Sequence, residues 1–138
     1  MQNKKAFTLI ELMLVVIIIG VLAAMVIPRL GGRSEQARQA AAKADIEANI
    51  ATALDLYELD NGQYPATEQG LAALITRPGS LSVPENWKGP YLKKEPKDSW
   101  GRPYIYKSPG EHNAGDYDLS SLGKDGVEGG GDDVVNWE

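Results

Sequence analysis

The feature that most constrains the fold is an apolar run close to the N-terminus, from Phe7 to Ile27. In a helix that rises about 1.5 Å per residue, this run would be about 32 Å long, close to the hydrocarbon thickness of a bilayer. Such a segment cannot belong to a small soluble core. Residues 7–28 are therefore predicted to form a transmembrane helix.

The residues on either side of the run predict its orientation. Lys4 and Lys5 precede it, and the positive-inside rule places them in the cytoplasm with everything after Pro28 exported. A secretory signal peptide is the alternative, because it also combines a basic start with an apolar stretch. The length of the run and the acidic Glu11 within it favour a retained helix.

Glu11 is the unusual residue of the apolar run. A carboxylate at the centre of a bilayer costs about 2.5 to 3.5 kcal/mol and is usually kept for a function. Glu11 lies near the end of the span, where the cost is lower, so an interfacial position without a function remains open.

A second helical segment follows the membrane span. Residues 34–59 contain strong helix formers and no Gly or Pro, and residues 60–62 (DNG) carry the turn chemistry that ends a helix. Apolar residues recur at spacings of three and four, which predicts one face that covers a sheet. These residues are Ile46, Ile50, Ala53, Leu54 and Tyr57. Residues 29–62 are thus predicted to be the soluble half of one long helix.

Residues 63–138 are predicted to form a small globular domain. Residues 68–75 favour a short helix, and the stretch up to residue 103 is interrupted by five prolines, which favours a packed loop. Three short β-prone runs follow, at residues 104–107, 116–120 and 134–137. The predicted class is α+β, with a long N-terminal helix packed on a small antiparallel sheet.

Composition excludes several functions. The chain has no cysteine and a single histidine, His112, which excludes disulfides and argues against a structural zinc site. Its net charge of −5 argues against binding to nucleic acid. The sequence also has no nucleophile motif, phosphate loop or paired carboxylates typical of an active site, so we predict that the protein is not an enzyme.

A Gly-rich acidic stretch near the C-terminus predicts either a cation site or a solvated tail. It carries Asp125, Glu128, Asp132 and Asp133, separated by glycines. Tight folding brings these like charges together, and calcium resolves the conflict because it accepts six to eight oxygen ligands. The spacing is not that of an EF-hand. From charge clustering alone, a disordered acidic tail is equally compatible.

Residues 4–11 (KKAFTLIE) resemble the processing site of type IV pilins and pseudopilins. The resemblance implies a leader at residues 1–6, cleavage by a prepilin peptidase between Ala6 and Phe7, and methylation of the new amino group. It also implies that Glu11 pairs with the N-terminus of a neighbouring subunit. The helix would unwind between Gly20 and Pro28 in the assembled filament, a plain kink being the alternative. Ala6 departs from the Gly that the family nearly always has.

Further motifs resemble the major pseudopilins of type II secretion systems. They are residues 57–65 (YELDNGQYP), 67–71 (TEQGL), 89–92 (GPYL), 100–101 (WG) and 121–123 (SLG). With the N-terminus and the acidic stretch, they cover nearly the whole chain in order. Ser99 stands where the family usually has Pro.

This resemblance implies a type IV pilin-like fold and a calcium site in the acidic stretch. The matching ligands would be the carbonyls of Leu122 and Val127 and the side chains of Asp125, Asp132 and Asp133. Glu128 is left out because the matching family position is not generally acidic.

The resemblance also implies the function. The chain would be anchored in the bacterial inner membrane and polymerise into a periplasmic pseudopilus that helps drive folded proteins across the outer membrane. The implied partners are further copies of the chain, minor pseudopilins and an inner-membrane assembly platform. Two alternatives stay open: a type IV pilus subunit for adhesion or motility, and a membrane-tethered calcium-binding module or enzyme that does not polymerise.

Overall fold

The computed structural model describes residues 6–79 and 82–138, and at residues 28–30 the backbone alone. Of the predicted leader, only Ala6 lies within the described residues; Lys4 and Lys5, on which the predicted orientation depends, lie outside them. The chain divides into two compact units, Met1–Ala37 and Arg38–Glu138. All three described strands belong to the second unit.

Helical structure extends over most of the first 61 residues. Helix α1 is Leu9–Ala44, a π-helical segment covers Asp45–Asn49, and helix α2 is Ile50–Asn61. The predicted helix at residues 34–59 is therefore confirmed. Gly62 ends α2 in the left-handed conformation (φ 79°), and its N–H donates to the Glu58 carbonyl at 2.6 Å. This is the termination expected of a glycine that follows a helix.

The backbone of α1 stays helical through Gly20 and Pro28. The unwinding predicted for this stretch concerns subunits in an assembled filament, which a single chain does not test. It stays a prediction.

The predicted apolar face of the second helical segment lies in the core of the 38–138 unit. Each of its five residues is at most 2% exposed. Across from it lie the 3₁₀ segment and side chains from in and around the sheet, namely Leu71, Ala73, Leu74, Tyr104, Tyr106, Tyr117 and Leu119. Burying this face against the sheet supplies the main hydrophobic contribution to the stability of the unit.

The helix predicted at residues 68–75 is shorter than expected. Only Leu71–Leu74 is helical, as a single 3₁₀ turn. Gly70 precedes it with φ 59° and ψ −165°, a conformation that cannot continue a helix. Gly70 therefore ends the turn before it, so the 3₁₀ turn after it is separate. The sequence pattern had predicted one continuous helix over both turns.

The sheet has three short antiparallel strands in the order β1-β2-β3. Strand β1 is Ile105–Lys107, β2 is Asp118–Ser121 and β3 is Val134–Val135. Leu119 of β2 pairs with Tyr106 of β1, and Ser121 pairs with Val134 of β3. The three predicted strands and the α+β class are confirmed, with strand ends differing by one or two residues.

Candidate functional site

The apolar helix begins with a reciprocal pair of hydrogen bonds. The Thr8 backbone N–H donates to Glu11 Oε2 at 2.9 Å, and the Glu11 N–H donates to Thr8 Oγ1 at 3.3 Å. The Thr8 hydroxyl also donates to Glu11 Oε2, at 3.1 Å. This is a capping box, which satisfies N–H groups that the first turn leaves without helical partners. In the single chain, Glu11 therefore caps its own helix.

The large apolar side chains of this segment are open to their surroundings. They are between 48% exposed, at Val15, and 87% exposed, at Phe7. Within the described residues, this helix is the one long and apolar enough to cross a membrane, with a mean hydropathy of 3.0 over its best window. A continuous apolar helix surface of this kind requires lipid or other apolar helices around it.

A second set of predicted residues lies in the connection between β2 and β3, at residues 122–133, which we call the acidic loop. Strand β2 ends at Ser121 and β3 begins at Val134, and these two residues pair across the sheet. The pairing holds the two ends of the loop together. It therefore brings Asp132 and Asp133 close to Asp125 although seven or eight residues separate them along the chain.

Each of the three aspartates uses one carboxylate oxygen to hold the loop backbone. Oδ2 of Asp132 accepts the N–H groups of Lys124, at 2.7 Å, and Asp125, at 3.0 Å. Oδ1 of Asp125 accepts the Val127 N–H at 2.8 Å, and Oδ2 of Asp133 accepts the Gly129 N–H at 2.7 Å. These bonds fold the loop around its own acidic side chains.

The carboxylates of the three aspartates also converge on one another. One carboxylate oxygen from each of the three aspartates lies within 4.8 Å of the others. Oδ1 of Asp132 and Oδ1 of Asp133 are buried and accept no hydrogen bond from the described part of the chain. The N–H of Asp125, together with that of Lys124, holds the pKa of the Asp132 carboxyl below its usual value despite the opposing effect of burial. The cluster is thus an anionic, oxygen-only arrangement of the kind that suits a hard cation such as calcium.

Two glycines make this arrangement possible. A Cβ at Gly130 would overlap Oδ2 of Asp125, and a Cβ at Gly123 would overlap the carbonyl oxygen of Asp132. Gly123 also has a left-handed φ of 62°, which favours glycine. The sequence indicated that glycines let the loop fold tightly, and the structure shows which contacts require them.

The two carbonyls predicted as ligands lie in the same loop. The Leu122 carbonyl accepts the Gly126 N–H and the Val127 carbonyl accepts the Gly130 N–H, both at 3.2 Å. A carbonyl oxygen has two lone pairs, so each keeps capacity for a further partner. Glu128, which was left out of the predicted ligand set, does not belong to the carboxylate cluster.

No motif or spacing in the sequence singles out Asp118, which organises the neighbouring turn. Its two oxygens accept the backbone N–H groups of Glu111, His112 and Asn113 at 2.8 to 2.9 Å. Burial raises the pKa of Asp118, but hydrogen bonds from the N–H groups of His112, Asn113 and Glu111 and from the His112 ring together outweigh it, and the net pKa lies below the usual value.

His112 has a partner on each side. Its Nδ1 lies 3.0 Å from Asp118 Oδ2, and its ring stacks on Trp137 with ring centroids 4.0 Å apart. The sequence predicted a solvent-exposed histidine, and the side chain is 53% exposed. No sequence spacing indicated that it would join the Asp118 turn to the C-terminal residues.

Family comparisons cover nearly the whole chain. Residues 29–137 match the family described as "Type II secretion system (T2SS), protein G", and residues 1–27 match the "Prokaryotic N-terminal methylation motif". The two matches meet at the end of the predicted membrane helix.

Individual proteins agree with the family match. The chain is 52% identical to the type II secretion system core protein G of Pseudomonas aeruginosa, covering 99% of this chain and 97% of that protein. It is 48% identical to the protein of the same name from Vibrio cholerae, covering 99% and 94%. Among solved structures, it resembles the major pseudopilin from the type 2 secretion system of enterohaemorrhagic Escherichia coli. That match has a TM-score of 0.69 and 37% identity, and covers 77% of this chain and 87% of that one.

Proposed function

The chain belongs to the protein G family of type II secretion systems, and we propose that it polymerises through its apolar N-terminal helix into a periplasmic filament. It is a structural subunit of a pseudopilus, in a family not known for enzymatic activity. The observation that carries the proposal is the apolar helix surface between Phe7 and Ile27, whose large side chains are all substantially exposed. In the membrane lipid covers this surface, and in a filament the helices of other copies would cover it.

Growth of such a filament supplies the mechanical part of the function. Each added subunit leaves the inner membrane and lengthens the filament, which would act as a piston or screw that helps move folded proteins across the outer membrane. Minor pseudopilins and an inner-membrane assembly platform are the partners that this proposal requires. The type IV pilus role for adhesion or motility is not favoured, because the related proteins carry the secretion-system name.

Processing comes before assembly in this proposal. A prepilin peptidase would cut between Ala6 and Phe7 and methylate the new N-terminus, with residues 1–6 in the cytoplasm and the C-terminal unit in the periplasm. The match of residues 1–27 to the methylation motif supports this order of events. The intact mass of protein extracted from membranes tests it: the mass of residues 7–138 plus one methyl group is expected. A mass that retains residues 1–6 would contradict the cut.

Glu11 is proposed to pair with the N-terminal ammonium of a neighbouring subunit. Two opposite charges buried together cost less than either charge buried alone. Glu11→Gln tests this pairing sharply, because glutamine keeps the capping box with Thr8 while the charge is removed. Thr8→Ala is the matched variant, since it removes the two hydrogen bonds of the Thr8 hydroxyl from the capping box and keeps the charge.

Electron microscopy of sheared cell-surface material, after overexpression with the assembly machinery, distinguishes these roles. We expect fibres from the wild type and from Thr8→Ala, and none from Glu11→Gln at equal membrane levels. Fibres from Glu11→Gln would show that the charge is dispensable. A stable, processed wild type that never forms fibres would refute polymerisation itself.

The acidic loop is proposed to bind calcium. The residues fit this cation because three carboxylates converge and two of their buried oxygens lack donors in the described part of the chain. Leu122 and Val127 would add carbonyl ligands. Bound calcium would supply positive charge that offsets the repulsion among the aspartates and ties the β2–β3 connection together. Stabilisation of the soluble unit would in turn favour assembly.

Melting curves of the full chain in detergent, with calcium or with a chelator, test this site. Calcium should raise the Tm of the wild type, and Asp125→Ala should abolish the rise. Glu128→Ala is the matched control, because it removes the same charge from the same loop but lies outside the cluster. An equal rise in the wild type and Asp125→Ala would contradict the ligand assignment.

A further inference from the structure

The guanidinium of Arg102 lies against the first turn of the acidic loop. Its Nη1 donates to the Gly123 carbonyl at 2.6 Å, and its Nη2 donates to the Lys124 carbonyl at 3.3 Å. A Cβ at Gly126 would lie 2.8 Å from the guanidinium carbon, so this glycine packs directly on the arginine. The contacted residues lie between three proposed ligands, namely Leu122, Asp125 and Val127.

Arg102 is itself fixed to the buried part of the unit. Its N–H donates to Asp98 Oδ1 at 2.8 Å, and its carbonyl accepts the Asp98 N–H at 2.8 Å. The Ser121 hydroxyl donates to Asp98 Oδ2 at 2.6 Å, and Ser121 Oγ accepts the Gly123 N–H at 3.2 Å. Asp98 is 6% exposed and Ser121 is fully buried. The backbone of Arg102 is therefore held by hydrogen bonds to a buried residue, and its side chain extends from there to the loop.

We infer that Arg102 is a positioning residue for the calcium site, holding the ligand atoms of Leu122 and Asp125 in place before the cation binds. The inference rests on the calcium proposal above. Two hydrogen bonds from one planar guanidinium fix the carbonyls of residues 123 and 124, the two residues between those ligands. A loop ordered in advance binds more tightly, because binding energy is not spent on ordering it.

The charge of Arg102 has the opposite effect on the cation. A guanidinium close to calcium repels it, so loss of the arginine would strengthen binding if charge were the dominant effect. Arg102 is partly exposed, and water and salt weaken this repulsion. The hydrogen bonds, by contrast, decide the loop geometry. Positioning and repulsion thus predict changes of opposite sign in calcium affinity.

Calorimetric titration of the full-length chain in detergent micelles, with calcium chloride alone as titrant, measures this sign. Arg102→Met keeps an unbranched stem and loses every donor, and we expect its Kd to rise roughly tenfold. Arg102→Lys keeps the charge and one donor group, and should recover part of that loss. Lys94→Met is the matched control, because it removes one positive charge from an exposed side chain and should leave Kd unchanged.

Amide hydrogen exchange rates of the calcium-free chain distinguish a local effect on the acidic loop from a general loss of stability. A general loss of stability would speed exchange throughout the unit. In Arg102→Met, the N–H groups of Gly126 and Val127, which bond within the loop, should exchange faster. The N–H of Leu119, which donates to Asn136 Oδ1 outside the acidic loop, should keep its wild-type rate. A local change of this kind, together with weaker calcium binding, is the expected result.

Several outcomes would overturn the inference. An unchanged or lower Kd in Arg102→Met, with wild-type binding intact, would overturn the role of Arg102 and leave the calcium proposal standing. A wild type that does not bind calcium would overturn both. If Arg102→Met does not fold, Arg102→Lys decides: a Kd raised several-fold supports positioning, and a wild-type Kd overturns it.

Discussion

Replacing Gly130 with alanine tests the proposed calcium site by steric means. The added methyl group would overlap Oδ2 of Asp125 and displace that carboxylate from the cluster. The φ of Gly130 lies outside the left-handed region, so alanine is compatible with the backbone itself. Gly115→Ala is the matched control, because it makes the same change where a Cβ meets nothing within 4 Å.

The expected size of the effect follows from linkage. Calcium at 100 times its Kd stabilises the folded state by about 2.7 kcal/mol. For a unit of about 100 residues, Arg38–Glu138, this corresponds to a rise in Tm of roughly 10 to 20 °C. If loss of one carboxylate ligand weakens binding about 100-fold, the same calcium concentration stabilises by only about 0.4 kcal/mol, or roughly 2 to 3 °C.

Tryptophan fluorescence of the full chain in detergent is a suitable assay, because Trp87, Trp100 and Trp137 all lie in the 38–138 unit. Without calcium, Gly130→Ala should melt within a few degrees of the wild type, because the displaced Asp125 side chain is exposed and would lose one hydrogen bond, worth about 0.5 to 1.5 kcal/mol. With calcium, it should lose most of the wild-type rise while Gly115→Ala keeps it. A full calcium-induced rise in Gly130→Ala would refute the placement of Asp125 as a ligand.

Three further predictions concern the fold. Because the folded-state pKa of Asp118 is lowered, its stabilising effect is present at neutral pH and lost as pH falls below about 4; acid titration should therefore unfold the wild type more steeply than Asp118→Asn. Ser121→Ala removes the hydroxyl donor of buried Asp98, and urea denaturation should show a loss of about 1 to 3 kcal/mol. Leu119→Ala should cost about 2 to 5 kcal/mol in the same assay, whereas Leu59→Ala, 80% exposed, should cost under about 0.5 kcal/mol.

The helical part of the fold was predictable from sequence because its signals are local and long. A run of apolar residues and a repeat at spacings of three and four each determine structure over many turns. All five residues of the predicted face, from Ile46 to Tyr57, are buried. The strands were predictable for a related reason, since β-prone residues stand between turn residues.

The contacts within the site could not be predicted from the sequence, because they join residues that are far apart along the chain. Arg102 and Gly123 are 21 residues apart, and only the folded sheet brings them together. The short 3₁₀ turn at Leu71–Leu74 was overestimated as a helix because composition does not reveal the backbone conformation of Gly70. The ligand set itself came from family resemblance, since charge clustering alone left a disordered tail open.

Hydrogen bonding gives two aspartates of the C-terminal half different roles. Asp118 begins strand β2, and Asp132 lies in the acidic loop. Both oxygens of Asp118 accept backbone N–H groups, so that carboxylate is fully engaged in bracing its turn. Asp132 engages one oxygen and leaves the other buried without a donor from the described residues. A buried acceptor without a partner costs free energy, so a cation bound at the proposed site would stabilise Asp132. At Asp118 the backbone N–H groups already supply this stabilisation.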